Sequence, residues 1–462
     1  MKGSLSMSNT SRTMINDMTR GPLAKQILFY SAPLVMANIL QTLYNLVDLA
    51  IVGQVVGSEG VSAVSIAGQI TFLLYALGIG FGNGGQILIS QQVGAGDMNG
   101  VRRTVGTSLT AHTVLSILVT ILGLVFTKPL LQLLNTPAEA WQDAVDYMFW
   151  CCLGIPFIYG YGGLCAILRG MGDSKRPMYI IAISAITNVI LDLILVAGLG
   201  MRAKGAAIAT TVSQFVSFLF ALVYLYKHRE SFGFDFKRES FRIDKRILKV
   251  IVSLAAPLAF MQMSITISMM FVNAWVNAYG VVASAVGGIG SKLFSVASII
   301  TNSMQTAEAT FSGQNIAAGR HDRVKRSMGF TTLFCLCYWI ILAAVCLLFP
   351  EGVFRLFTPD PEVLAMAPRF LVIQVFMFLS FALMSPPLGF ITGIGNAKLN
   401  FIIAVADGVV ARIGLGLLLA ITCGMGLYGY WWGSALAGFV SVIAGWIYYF
   451  SGHWKNRQIL VG

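Results

Sequence analysis

Apolar residues run through this chain in long blocks separated by short polar connectors. A bilayer core of about 30 Å takes about 20 apolar residues as a helix. On that ruler twelve segments can span: 27–53, 61–91, 104–127, 143–168, 178–198, 206–226, 248–278, 282–313, 327–349, 363–393, 399–422 and 427–450. Several are longer than needed, so they tilt, bend or project beyond the lipid. The Val-rich run 180–199 could be a buried strand by pattern alone, but its length and lack of regular alternation favour helix. The pattern predicts an all-α membrane protein.

The connectors set orientation. Twenty-four Lys and Arg lie before the first segment, after the last, or in the even-numbered connectors, against five in the odd-numbered ones. That asymmetry puts both termini in the cytoplasm of a multi-pass plasma-membrane protein. The longest charged connector divides the chain into a segment 1–26, a first lobe 27–226, a linker 227–247, a second lobe 248–450 and a tail 451–462.

The two halves resemble each other. GAGDMNGVRRTVG (94–106) aligns with AAGRHDRVKRSMG (317–329), and RGMGDSK (169–175) with TGIGNAK (392–398), at a common offset of 223. Pro33 and Pro257 are counterparts in the first and seventh segments. With six spans per half, both lobes enter the membrane the same way round. A pseudo-two-fold axis along the membrane normal should relate them, as in transporters that rock one half against the other.

Composition agrees. Only 11% of residues are charged, against about a quarter in soluble proteins. The net charge of +12 would point to nucleic acid in a soluble domain. Here it reports topology, and no nucleic-acid partner is expected. The seven cysteines fall within or at the edge of spans without metal or redox spacing, and His112 stands alone among the spans. No nucleophile–base pair or metal motif marks an enzyme.

Six ionisable residues inside the spans stand out: Asp48, Asp192, Lys292, Glu308, Asp407 and Arg412. Each costs roughly 2.5–3.5 kcal/mol at the bilayer centre on insertion scales and so needs a reason. Asn38, Gln41, Asn45 and Asp48 share one helix face, and Asn188 and Asp192 share another. Depth brings Asp48, Asn188, Asp192, Thr210 and Tyr147 together in the outer half of the first lobe. Such an oxygen-rich cluster could hold Na⁺. Because two close carboxylates resist being charged together, it could equally hold H⁺. The amides of the stripe also serve as interhelical glue. In the second lobe Asp407 is expected to pair with Lys292 or Arg412, and Glu308 to snorkel or pair with a connector arginine. Pro33 frees a backbone carbonyl in the first span and marks a hinge.

The sequence resembles the multidrug and toxic compound extrusion (MATE) transporters over about residues 20–450. The most specific pieces are LQTLYNLVDLAIVGQVVGSEGVSAVS (40–65), SQQVGAGD (90–97), RGMGDSKRP (169–177) and GQNIAAG (313–319). The resemblance implies a V-shaped pair of six-helix lobes that exports organic, often cationic, compounds in exchange for H⁺ or Na⁺. It also implies a coupling site of Asp48, Asn188 and Asp192 with Thr210 and Tyr147 as accessories, and Pro33 as the bend. Some members carry acids on spans 7 and 10, where this chain has Gln262 and the acid-free run 372–384. Coupling is therefore expected in the first lobe. The partners expected are small organic substrates and membrane lipid, with no cofactor, no metal beyond Na⁺, and the chain acting as a monomer. The alternative is a flippase for lipid-linked or other anionic lipids of the same broader fold.

Overall fold

The computed structural model describes residues 15–134, 136–457 and 460. Among these, twelve helices are long and apolar enough to cross a membrane. They are α1 (Leu23–Val55), α2 (Ser58–Ala95), α3 (Met98–Leu133), α4 (Trp141–Gly170), α5 (Lys175–Gly198), α6 (Arg202–Lys227), α7 (Lys245–Asn277), α8 (Val281–Ala317), α9 (His321–Leu348), α10 (Pro361–Gly393), α11 (Ala397–Thr422) and α12 (Leu427–Ser451). All twelve sequence-predicted spans are present. α1 continues unbroken through Pro33.

The repeat in sequence is a repeat in packing. In the first half α4 lies against α2, α3 and α6, while α5 lies against α1 and α6. In the second half α10 lies against α8, α9 and α12, while α11 lies against α7 and α12. What the paired motifs preserve is the helix ends. Gly96 and Gly319, at equivalent positions, both have positive φ (75° and 68°), which a side chain would oppose as the chain leaves a long helix. Asp173 and Asn396 then accept backbone N–H groups at the starts of α5 and α11.

The halves meet at the end of the bundle that carries the chain's first and last described residues, called here the terminal end. Gln91 donates to the Gly393 carbonyl (2.8 Å), and Gln86 donates to Thr310 Oγ1 (3.1 Å). Tyr30 Oη lies 3.1 Å from Thr310 Oγ1 and donates to the Arg169 carbonyl. α2 approaches the second half closely because it carries glycines there. A Cβ on Gly84 would lie 2.7 Å from the Ile251 carbonyl oxygen, and one on Gly94 would run into the backbone of Gln314. The segment before α1 straps across the seam: Met18 N–H donates to Gln314 Oε1, and Arg323 holds the Gly21 and Met18 carbonyls. At the other end Gln41 and Asn45 of α1 and Ser291, Lys292 and Ser295 of α8 are exposed. The two halves are therefore closed at the terminal end.

The segment between α6 and α7 is folded onto the first half. Phe232 and Phe234 are buried in a cluster with Val101, Val105, Leu164 and Leu168. Thr110 donates to the Phe241 carbonyl (2.7 Å), and Asp244 N–H donates to Thr107 Oγ1 (3.1 Å). Asp244 in turn accepts from the N–H groups of Arg246 and Ile247, starting α7.

Candidate coupling site in the first lobe

Asp48 projects from α1, Asn188 and Asp192 from α5, Thr210 from α6 and Tyr147 from α4. Because α5 packs on both α1 and α6, three of these helices meet where the two carboxylates lie. Asp192 is fully buried, Asn188 nearly so, and Asp48 retains 9% exposure. The two carboxylates approach each other within hydrogen-bonding reach. Asn188 Nδ2 donates to Thr210 Oγ1 at 3.4 Å. Tyr147 is buried close to Asp48, and Tyr44, one turn before Asp48 on α1, is half-buried beside it.

These acceptors lack donors. Asp48 Oδ1, both carboxylate oxygens of Asp192 and Asn188 Oδ1 are buried with no hydrogen-bond partner among the described residues. A buried acceptor without a donor costs about 1–3 kcal/mol, and more if it is charged. Four such oxygens on two adjacent helices call for a hydrogen-bond donor or a cation between them. The backbone contributes too: directly after Asp192, α5 widens into a π-helical turn, Leu193–Gly198. Such turns re-aim side chains and recur at functional sites.

The rest of the α1 stripe does not converge on this cluster. Asn38 donates to Ser303 Oγ of α8 across the seam (3.1 Å), whereas Gln41 and Asn45 are exposed. Tyr44 was not among the sequence candidates, although its spacing of four from Asp48 places it on the same face. A cavity of about 930 Å³ at the terminal end, lined by Asn16, Tyr30, Lys175 and Tyr224 among others, contains none of the cluster residues.

In the second half Asp407 pairs with Arg412 (3.2 Å) and accepts from Ser441 (2.6 Å). Asp407 lies within a second π-helical turn, Ala406–Ala411. Lys292 takes no part in that pair; it is exposed on α8. Glu308 departs from expectation. It neither snorkels nor meets a connector arginine, being fully buried and hydrogen-bonded to Ser312, Ser327 and Thr331. Depth alone suggested an escape to the interface, but α9 covers that route with hydroxyls. Removing one partner of a buried ion pair costs about 3–5 kcal/mol. Arg412→Ala should accordingly lower the melting temperature in detergent, and Asp407→Leu/Arg412→Leu should recover much of the loss. An unchanged melting temperature for Arg412→Ala would show that the pair contributes no stability.

A repeated six-helix half, closed at one end and carrying donor-poor carboxylates within the bilayer, defines a secondary transporter. The MatE family model matches the chain twice, over residues 33–194 and 257–418, one copy per half. The chain belongs to this family of efflux antiporters, which are transporters and not enzymes. It is a multi-pass protein of the plasma membrane. It is 28% identical to the probable multidrug resistance protein YoeA of Bacillus subtilis, with 94% of this chain and 95% of that protein covered. Among solved structures it is similar to a MOP-superfamily transporter from Pyrococcus furiosus (TM-score 0.89, 24% identity, 98% and 100% covered). An outward-facing multidrug-resistance MATE transporter is equally similar in fold (TM-score 0.89, 23% identity, 98% and 100% covered).

Proposed function

We propose that this chain exports organic, cationic or amphiphilic compounds in exchange for protons that bind between Asp48 and Asp192. The observation that carries this reading is the buried set of carboxylate oxygens without a donor. A proton placed between the two carboxylates supplies the missing donor and removes one of the two charges. Asn188, Thr210 and Tyr147 line the surroundings of the pair. A sodium ion would have to draw most of its oxygen ligands from the same few groups, which makes the proton the simpler occupant.

With the basic connectors in the cytoplasm, the closed terminal end is the inner one and the cleft faces outward. Loading the Asp48–Asp192 pair from outside would then precede closure around the proton and release of cargo in exchange. Export of small organic compounds fits the multidrug-resistance name of YoeA. The flippase reading gains nothing, because Arg412 is committed to Asp407 and leaves Lys292 as the unpaired intramembrane cation among the described residues. One cation is too few for a pyrophosphate.

Purified protein in liposomes tests the proposal. Efflux of a fluorescent organic cation should follow an imposed proton gradient alone and not a sodium gradient alone. Transport driven by sodium and indifferent to protons would replace the proton with Na⁺ at this site.

A further inference from the structure

Glu308 has no part in the first-lobe site, yet it is the most enclosed carboxyl group in the second lobe, with 0% exposure. It lies on α8 about 13 Å from the end of that helix at 1.5 Å per residue. None of the ion pairs among the described residues includes it. The titratable groups that face it are Cys335 of α9 and Tyr449 of α12. From α10 it meets the backbone of Gly389. A carboxylate in that position carries an uncompensated charge.

Its hydrogen bonds accommodate either protonation state. Ser312 donates to Oε1 (2.5 Å), Ser327 to Oε1 (2.9 Å) and Thr331 to Oε2 (3.2 Å). Ser327 and Thr331 each have a second acceptor on their own helix. The Val324 carbonyl lies 2.9 Å from Ser327 Oγ, and the Ser327 carbonyl lies 2.8 Å from Thr331 Oγ1. A hydroxyl has one proton to give and two lone pairs to offer. When Glu308 is ionised, three hydroxyls point at it. When it carries a proton, Ser327 or Thr331 rotates toward its own carbonyl and accepts from the carboxyl O–H. No buried group loses its partner in either state.

The helix that carries Glu308 also forms the seam, on its opposite face. Thr310 and Gln314, on the same stretch of α8, hold Tyr30, Gln86 and Met18 of the first half. With Ser303 accepting from Asn38 before it and Thr310 and Gln314 after it, α8 is held to the first half on both sides of Glu308 while the terminal end is closed.

We propose that Glu308 is a second proton-binding site, separate from the Asp48–Asp192 pair, which holds its proton while the terminal end is closed and exchanges it with water when that end opens. Sealed as it is among α8, α9 and α10, the group gains water when α8, released from the first half, shifts against α9 and α10.

Infrared spectroscopy of the full-length protein in lipid, with ¹³C-labelled glutamate, tests this directly. A protonated-carboxyl band that shifts with the label is expected. It should vanish in Glu308→Gln and persist in Asp48→Asn/Asp192→Asn, so the outcome does not depend on the first-lobe reading. Ser327→Ala/Thr331→Val, which removes the two adapting hydroxyls, should displace the pH at which the band appears. This second variant serves if Glu308→Gln does not fold. A labelled band unaffected by Glu308→Gln, a Glu308 ionised at every pH, or ²²Na⁺ binding that Glu308→Gln abolishes would each overturn the proposal.

Discussion

Asp192→Asn should reduce gradient-driven efflux to the level of empty vesicles while the protein still inserts and folds. Asparagine keeps the volume of aspartate, so packing against α1 is undisturbed. It brings an N–H₂ group that donates to Asp48, and the cluster then stays in the state a bound proton would create. Asp48→Asn should do the same from the other side. Since the two carboxyl groups act as one unit, Asp48→Asn/Asp192→Asn should transport no worse than either single change. Proteoliposome efflux under a proton gradient measures this, with thermal unfolding in detergent as the check on folding. Full efflux from either single variant would remove the proton site from the first lobe.

The second large effect is expected at Gly94. A Cβ at this position runs into the Gln314 backbone across the seam. Backbone cannot yield as the end of a flexible side chain can, so Gly94→Val should keep the lobes from meeting at the terminal end. Each lobe's interior is untouched, and the protein should fold. Transport should nonetheless cease, because a carrier confined to one side of its cycle cannot alternate. A cysteine introduced at Gln86 should become reactive to a water-soluble maleimide in the Gly94→Val background and stay protected without it. Gly68→Ala, where the added Cβ meets open space on the same helix, is the control and should transport normally. Normal efflux by Gly94→Val would show that the closed seam is not part of the cycle.

How legible was this molecule in its sequence? Helix length and apolar content fix the spans, because a bilayer accepts little else. The offset between the Gly96 and Gly319 motifs shows the duplication, since the turn geometry that ends a long helix needs glycine at both sites. Asp48 and Asp192 were legible because the cost of an intramembrane acid singles them out, and helix rise puts them at one depth. Glu308 was not. Its partners Ser327 and Thr331 lie on the next helix, and nothing in a one-dimensional pattern says which face of α9 turns toward it. The π-helical turns after Asp192 and around Asp407 were equally hidden, for a change of hydrogen-bond register leaves no mark in hydrophobic periodicity. The Lys292–Asp407 alternative lost to Arg412 because Arg412 shares a helix with Asp407, whereas Lys292 is exposed on α8.

The segment between α6 and α7 carries a mechanical consequence. Its phenylalanines are embedded in the first half, and Asp244 both touches Thr107 and begins α7. The leash between the lobes thus has almost no slack. At that corner the second lobe cannot slide or drift away from the first, and the freedom left to it is to swing. Opening of the terminal end would then resemble a door turning on a fixed post, wide at the α1–α8 side and narrow beside α3 and α7. In an exporter with that end inward, cargo would enter by the wide side, past Asn38 and Ser303.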